Sequence, residues 1–200
     1  MADKHKVYFG LSKVHMAPVT DAHTREVPVW ETPIPVPGAV HFAPERQQEK
    51  SQFFADNIAY FTKWVTSSID GDLNMARFPN SVRTAIWGDI ETEKGGLIEV
   101  DNADTKDFAL LFQVETDTGS IRCAYYQANG GTPSRESNTL TDGGFEPDTE
   151  TSALSCSSVK IGTVNGVDKY AFMYWVDESD PAYATWFDTV TMPTLPTNGG

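Results

Sequence analysis

The residues with the spacing of a metal site are the acidic ones around position 70. Asp70, Asp72 and Asn74 match the D-x-D-x-N start of an EF-hand calcium loop. The sixth position of such a loop, where glycine makes a sharp turn, is Met75. The twelfth position, where a glutamate binds calcium, is Ser81. We therefore interpret this segment as a turn with solvated carboxylates rather than as a calcium site.

A second set of potential oxygen ligands lies in one loop, and its members are Asp101, Asn102, Asp104 and Asp107. Carboxylate and amide oxygens are the ligands that Ca²⁺ prefers. However, the chain has 28 acidic residues, so acidic surface loops are expected without any metal. We predict that the protein has no metal and no other cofactor.

Nucleophiles and bases do not form a catalytic pattern in this sequence. The four histidines all lie in the first fifth of the chain, and none has the spacing of a zinc motif. The G-x-S-x-G, P-loop and G-x-G-x-x-G motifs are absent. Cys123 and Cys156 have small or apolar neighbours in strand-like runs, which predicts buried thiols. Whether these two cysteines pair is left open, and we predict no enzymatic activity.

The composition argues against two classes of partner. The formal net charge is −13, and no run of three Lys or Arg occurs. Binding to nucleic-acid phosphates or to a membrane surface requires clustered cations, so neither role is expected. The sequence has no signal peptide and no 18-residue apolar span, which favours a protein made in the cytoplasm. We expect one domain over residues 1–190 and a flexible tail at 191–200.

The centre of the chain predicts strands and one helix. Asp70–Gly71 lies between two strand-like runs and predicts a tight hairpin turn, because glycine accepts the positive φ of such turns. Asn80 or Ser81 as the N-cap and Gly88 as the C-terminal stop predict a short helix between them.

Alternation of apolar and polar residues predicts further strands and hairpins on either side of this helix. The predicted hairpins join Asp107–Val114 to Ser120–Gln127, and Ser152–Ile161 to Val167–Val176 through the Asn165–Gly166 turn. Ala182–Val190 is predicted to be a last strand, 28–37 a proline-rich edge arm, and 129–150 a long polar loop. The fold class is mainly β: a β-sandwich or partly closed barrel with one short helix.

The succession of motifs resembles the major tail proteins of phages with long, non-contractile tails, in particular the phi13-type group. The motifs are Phe54-Ala55-Asp56-Asn57 with Tyr60, Gly71-Asp72-Leu73 before the short helix, Asp107 to Phe112, Arg122 with Tyr125-Tyr126, Pro133 to Glu136, and Thr149 to Thr151. Their order and spacing cover residues from about 5 to 176.

This resemblance implies a structural protein of the virion tail, made in the host bacterial cytoplasm. It implies a tail-tube β-sandwich with a flanking helix and a long hairpin, which we expect within Gln47–Asn74. In such a homo-hexamer, six copies close a ring, and their inner strands join into one β-barrel around a lumen. The expected partners are further copies, the tape-measure protein, and the tail terminator and distal tail proteins. DNA passes through the lumen without specific binding.

The resemblance also suggests which residues serve assembly or line the lumen: Asp56, Asn57, Asp70, Gly71 and Asp72. Cations on the channel wall would bind phosphates and stall the genome. We therefore expect acidic side chains from the central hairpin region on or near this wall.

Two other functions remain open from the sequence. A β-sandwich module that binds carbohydrate or a receptor would use Trp64, Trp87 or Trp175 as an aromatic platform. A small hydrolase would use some of the scattered carboxylates.

Overall fold

The computed structural model describes residues 5–55, 58–135, 137–139 and 147–196. The strands are β1 (Tyr8–Pro18), β2 (Ile34–Pro35), β3 (Ala39–Phe42), β4 (Glu45–Ala55), β5 (Ile58–Met75), β6 (Ile90–Glu91), β7 (Leu97–Ile98), β8 (Phe108–Thr116), β9 (Gly119–Gly130), β10 (Ser134–Arg135), β11 (Glu150–Ser157), β12 (Val159–Val164), β13 (Val167–Ala171) and β14 (Met173–Asp177). One α-helix, α1 (Asn80–Trp87), and one short 3₁₀ turn at Pro181–Tyr183 complete the described elements. The chain is therefore mainly β, as predicted.

Ten of the strands form one antiparallel sheet that curls into a half-barrel. Its central order is β2-β1-β8-β9-β11-β5-β3, with β10 beside β11, β14 beside β9 and β4 beside β5. The curl is visible in the ring contacts of Phe42 on β3. Its ring centroid lies 5.7 Å from those of Phe112 on β8 and Tyr125 on β9, although several strands separate β3 from β8 in the sheet.

Two apolar clusters cover the two faces of the sheet. Inside the curl, Phe108 and Leu110 of β8 pack in the same cluster as Trp87 of the helix. On the outer face, Leu111 packs in a second cluster with Trp186 from the C-terminal segment. Strand β8 is thus buried on both sides over most of its length, which its nearly continuous apolar run requires.

The helix begins and ends close to the predicted positions. Gly88 follows it with φ of 71°, a left-handed conformation that favours glycine, so the predicted stop is confirmed. The predicted N-cap is wrong, because Pro79 occupies that position and no side chain caps the helix. Asn80 is the first helical residue instead, and its Oδ1 accepts a hydrogen bond from Arg77. None of the helices among the described residues is long and apolar enough to span a membrane.

The predicted hairpin turn at Asp70–Gly71 is also wrong. β5 runs without interruption from Ile58 to Met75, and both residues pair with β11 on one edge of that strand. A side chain at position 71 would meet the chain between β3 and β4: a Cβ there would lie 2.7 Å from the carbonyl oxygen of Ala43 and 2.9 Å from Cα of Pro44. Glycine is thus needed for a close backbone approach, not for a positive φ.

The long hairpin implied by the resemblance is formed by β4 and β5. The two strands pair from Glu45 opposite Asp70 to Ala55 opposite Ile58. Residues 56 and 57, which connect them, lie outside the described residues.

Predictions for the other strands were partly correct. The β8–β9 hairpin is confirmed, and so is the Asn165–Gly166 turn, whose φ values are 53° and 73°. Each of the two strands predicted around that turn is divided in the structure, into β11 and β12 and into β13 and β14, which have different partners.

The predicted strand at Ala182–Val190 does not form. This segment consists of turns, and the indole N–H of Trp186 within it donates to the carbonyl oxygen of Cys123. The proline-rich segment is confirmed as an edge segment, because Ile34 and Pro35 pair with the outer edge of β1.

Replacing Gly71 with alanine tests the close approach at this residue. We expect Gly71→Ala to lower the free energy of unfolding by about 1–3 kcal/mol, because the added methyl group meets backbone atoms that cannot rotate away. Gly131→Ala is the matched control, since nothing lies within 4 Å of its Cβ position, and we expect it to be neutral or stabilising by up to about 1 kcal/mol. Urea unfolding of both variants measures the difference, and equal stabilities would contradict the steric explanation.

Candidate functional site

The acidic segments do not assemble a metal centre in the described part of the chain. Within it, no group of three or more His, Cys, Asp or Glu side chains is arranged to hold a metal ion. The carboxylate of Asp107 accepts hydrogen bonds from Gln127 at 2.8 Å and from Asn129 at 2.7 Å. This carboxylate therefore links the start of β8 to the end of β9.

Two of the four histidines are tied to local structure. The ring of His15 stacks on Phe187 with centroids 4.4 Å apart, and burial lowers the pKa of this histidine. Nδ1 of His23 accepts a hydrogen bond from the backbone N–H of Val29 at 3.0 Å. The first contact holds the C-terminal segment against β1, and the second closes the loop of residues 20–29 on itself.

The two cysteines are buried and free. Burial raises the pKa of the Cys123 thiol to about 12, and burial also raises that of Cys156 to about 12. A thiol is nucleophilic only as the thiolate, so neither cysteine is poised for catalysis at neutral pH.

The thiol pKa values predict very slow alkylation of the folded protein. At pH 8 about one thiol in 10⁴ is ionised when the pKa is about 12, against roughly one in four for an ordinary cysteine. We expect maleimide to label both cysteines only after denaturation, as measured by intact mass. Rapid labelling of the folded chain, or failure of the unreduced, denatured chain to label, would contradict the assignment of two buried free thiols.

The three tryptophans proposed as a sugar platform lie in different environments. Trp87 is fully buried, and its indole N–H donates to the carbonyl oxygen of Gly130, so its proposed role in sugar binding is wrong. Trp64 is 59% exposed on the β4–β5 hairpin, and Trp175 is 51% exposed on β14. The ammonium of Lys50 lies 5.9 Å from the ring centroid of Trp64.

The β4–β5 hairpin carries an unusual concentration of exposed apolar side chains. The large ones are Phe53, Ile58, Tyr60, Phe61, Trp64 and Val65. Apolar residues scattered singly on a surface are normal, whereas a contiguous group indicates an interaction surface.

The register of the hairpin sorts these side chains onto two faces. Phe53 lies opposite Phe61, and Ala55 opposite Ile58. Cross-strand partners share a face, and so do residues two apart on one strand. The side chains that therefore lie on one face form what we name the apolar stripe: Phe53, Ile58, Phe61 and Val65. The other face carries Trp64 and two side-chain pairs that link the strands, Gln48 with Thr66 and Gln52 with Thr62.

Three strand edges near these residues have no strand partner in the described chain. β4 pairs only with β5, so its other edge is open. On the N-terminal side of Ile69, β5 pairs only with β4, so the other edge of residues 58–68 is open. The outer edge of residues 173–176 of β14 is open as well, because β14 pairs only with β9. Open edges readily pair with another chain unless they are protected.

A second apolar surface lies at the open mouth of the half-barrel. It is a cavity of about 690 Å³, which we name the mouth cavity. Its lining includes Phe9, Leu11, Phe42, Phe112, Val114 and Trp175. None of its lining residues is Asp, Glu, Lys or Arg, although the chain has 43 of these (28 + 15).

Two of the predicted lumen residues come together on the outer face of β5. Asp72 is exposed there, and Asp70 accepts a hydrogen bond from the hydroxyl of Ser155 at 2.7 Å. Asn74 completes this polar row by accepting a hydrogen bond from Thr151 at 2.8 Å. Gly71 lies between the two aspartates in β5, and Asp56 and Asn57 lie outside the described residues.

The apolar stripe and the mouth cavity were not identified from the sequence. A signal for the stripe exists, since aromatic residues recur at positions 53, 54, 60, 61 and 64 around a polar connection. No such local signal exists for the cavity, because its lining comes from five strands and their connections.

Comparison with known proteins finds a distant likeness of fold. No protein-family model matches the chain, and no curated protein sequence matches it. A chain in the structure of the anti-feeding prophage tube-terminating cap is 9% identical with a TM-score of 0.45, over 87% of this chain and 99% of that one. A chain in the anti-feeding prophage baseplate is 10% identical with a TM-score of 0.42, over 88% and 97%. A chain in the sheath–tube complex of an extracellular contractile injection system is 12% identical with a TM-score of 0.40, over 84% and 92%.

Proposed function

We propose that this chain is a structural subunit of a phage-tail-type particle and self-assembles into rings that stack into a tube. The observation that carries the proposal is the β4–β5 hairpin, which leaves Phe53 and Phe61 exposed beside an open strand edge. In a monomer the apolar side chains contact water, which is unfavourable. The backbone groups of the open edge also contact water and remain available to pair with another strand. Self-assembly covers both.

The proposal includes a ring of six copies, as in the phi13-type tail proteins that the sequence resembles. The open edges belong to three different strands, β4, β5 and β14. A contact between different surfaces of identical chains is head-to-tail, and it closes into a ring when the rotation between copies allows. Strand pairing across such contacts would remove the open edges.

The proposed subunit is not an enzyme and belongs to the virion tail. Its remaining partners are the tape-measure protein inside the tube and the tail terminator and distal tail proteins at its ends. The polar row formed by Asp70, Asp72 and Asn74 supports a lumen wall that DNA passes without binding, because carboxylates repel phosphates.

The purified protein provides the direct test by negative-stain electron microscopy at high concentration. A ring of six has a formal charge of 6 × (−13) = −78 at pH 7, so assembly must overcome repulsion between copies. The Debye length falls from about 10 Å at 0.1 M salt to about 3 Å at 1 M, so we expect rings and tubes to form more readily as NaCl rises. A protein that stays monomeric in concentrated solution across this range, or tubes that dissolve at 1 M and persist at 50 mM, would contradict this prediction.

The placement of Asp72 can be tested by labelling an introduced cysteine in assembled tubes. We expect Asp72→Cys to react with a small maleimide, which diffuses into the lumen, and not with a large polyethylene glycol maleimide, which is too big to enter. Val167→Cys is the control for an outer surface, since Val167 is 56% exposed on a different hairpin, and it should react with both reagents.

Each other labelling pattern gives a definite answer. Reaction of Asp72→Cys with both reagents would place it outside the tube. Reaction with neither reagent, but with both in the monomer, would place it in a subunit interface. Either result would contradict the lumen assignment.

A further inference from the structure

We infer that the mouth cavity of one copy receives the apolar stripe of the β4–β5 hairpin from a second copy of this chain. The inference rests on the proposed self-assembly and specifies which two surfaces form the contact. The two surfaces are different parts of the molecule, and both are open in the single chain. Phe61 of the stripe is 58% exposed, and Phe9 at the cavity is 56% exposed, so the hairpin does not fill its own cavity.

The cavity is suited to apolar side chains rather than to a small polar ligand. Its volume of about 690 Å³ falls within the range in which proteins bury ligands. Small-molecule sites usually add a few convergent charged or polar groups that fix the orientation of the ligand. Here the lining has no Asp, Glu, Lys or Arg, and His41 is its one histidine. Phe112, Ile121 and Cys123 cover the floor with less than a tenth of their surface exposed.

The hairpin offers side chains of matching chemistry on two paired strands. Ile58, Phe61 and Val65 lie within eight residues of one strand, which span roughly 23 Å at about 3.3 Å per residue. Side-chain hydrogen bonds between Gln48 and Thr66 and between Gln52 and Thr62 help to hold the two strands together. A preformed apolar element loses less conformational entropy on docking than a flexible one.

Charge favours this pair of surfaces over others for contact between copies. Two chains with a net charge of −13 repel each other, so their contact is least costly where charged groups are scarce. The lining of the mouth cavity has no Asp, Glu, Lys or Arg, and the charged residues that share the face of the stripe in the described part of residues 49–65 of the hairpin, Glu49 and Lys63, have opposite signs.

The open edge of β14 adds a second favourable interaction. Trp175 of β14 lines the cavity, so a hairpin that enters it comes close to this strand. An open edge of the hairpin, that of β4 or that of β5 at residues 58–68, and the edge of β14 at 173–176 then have the opportunity to pair by their backbones. Side-chain burial and backbone pairing thus act at the same contact.

Complementary substitutions test the contact from both sides. Phe61→Asp on the stripe and Phe9→Asp at the cavity place a charge on each surface, while Val167→Asp charges a similarly exposed apolar site outside both. We expect the first two variants to raise the protein concentration required for assembly by at least about 10-fold, as for a buried interface anchor. Val167→Asp should assemble like the unmodified chain, and all three should keep its thermal unfolding midpoint within a few degrees.

Mixing the two defective variants distinguishes this contact from a general loss of stability. Phe61→Asp keeps an intact cavity, and Phe9→Asp keeps an intact stripe. In an equimolar mixture the stripe of Phe9→Asp can therefore enter the cavity of Phe61→Asp, which gives one unmodified contact in each mixed pair. We expect light scattering to show heterodimers in the mixture and monomers of each variant alone, without tubes. Mixtures that remain monomeric would overturn the inference.

Cross-linking locates the two surfaces within tubes of otherwise intact chains. Tyr60→Cys lies on the hairpin beside the stripe and Tyr8→Cys lies at the cavity, and both parent side chains are exposed. A short bis-maleimide should link the two variants in mixed tubes and neither variant to itself. Tubes without this cross-link, or a Phe9→Asp variant that assembles normally, would overturn the inference and leave the proposed function standing. A chain that forms no assembly at all would contradict both.

Discussion

Strand β5 is the element on which both the body of the protein and its projecting hairpin depend. Its 18 residues form one continuous strand. The C-terminal part, from Ile69 to Met75, pairs with β11 and contributes Leu73 and Met75 to the inner cluster. The N-terminal part pairs only with β4. Because one strand belongs to both parts, the orientation of the hairpin is set by the packing of the core.

This arrangement requires β3 and β4 to share one edge of β5. β3 pairs with its last residues and β4 with the rest, so the connection at Ala43–Pro44 must cross close to the strand. Only a residue without a side chain leaves room for that crossing, and Gly71 is at this position. The residue that was predicted to form a turn therefore allows β5 to continue past this crossing as one strand.

The parts of the fold that were predictable from the sequence are those determined by local backbone chemistry. Gly88 ends the helix, and Asn165–Gly166 forms a tight turn, because each needs a positive φ that few residues adopt easily. Asp70–Gly71 also looks like a turn dipeptide, but glycine is required there for a different reason: a neighbouring segment of the chain passes too close for any side chain. The apolar run at Ala182–Val190 resembled a strand, yet Trp186 is buried there as an anchor over the outer face.

The candidate site was only partly predictable for a related reason. The aspartates on β5 are visible in the sequence, and the long hairpin followed from the resemblance. The mouth cavity depends on the curl of the sheet, which brings β3 over β8 and β9. Such a curl is a property of many pairings together and leaves no signature at any single residue.

Apolar surfaces as large as the stripe and the mouth cavity would make most chains aggregate, and charge is the feature that restrains them here. A net charge of −13 opposes every encounter between copies, whatever their orientation. This repulsion is outweighed only in an encounter that buries much apolar surface and brings few like charges together. Among the described residues the stripe and the cavity meet that condition, since the first has neighbours of opposite sign and the second has no Asp, Glu, Lys or Arg in its lining. In the proposed assembly, the acidic surface therefore selects one geometry of association among many, which is what an ordered assembly requires.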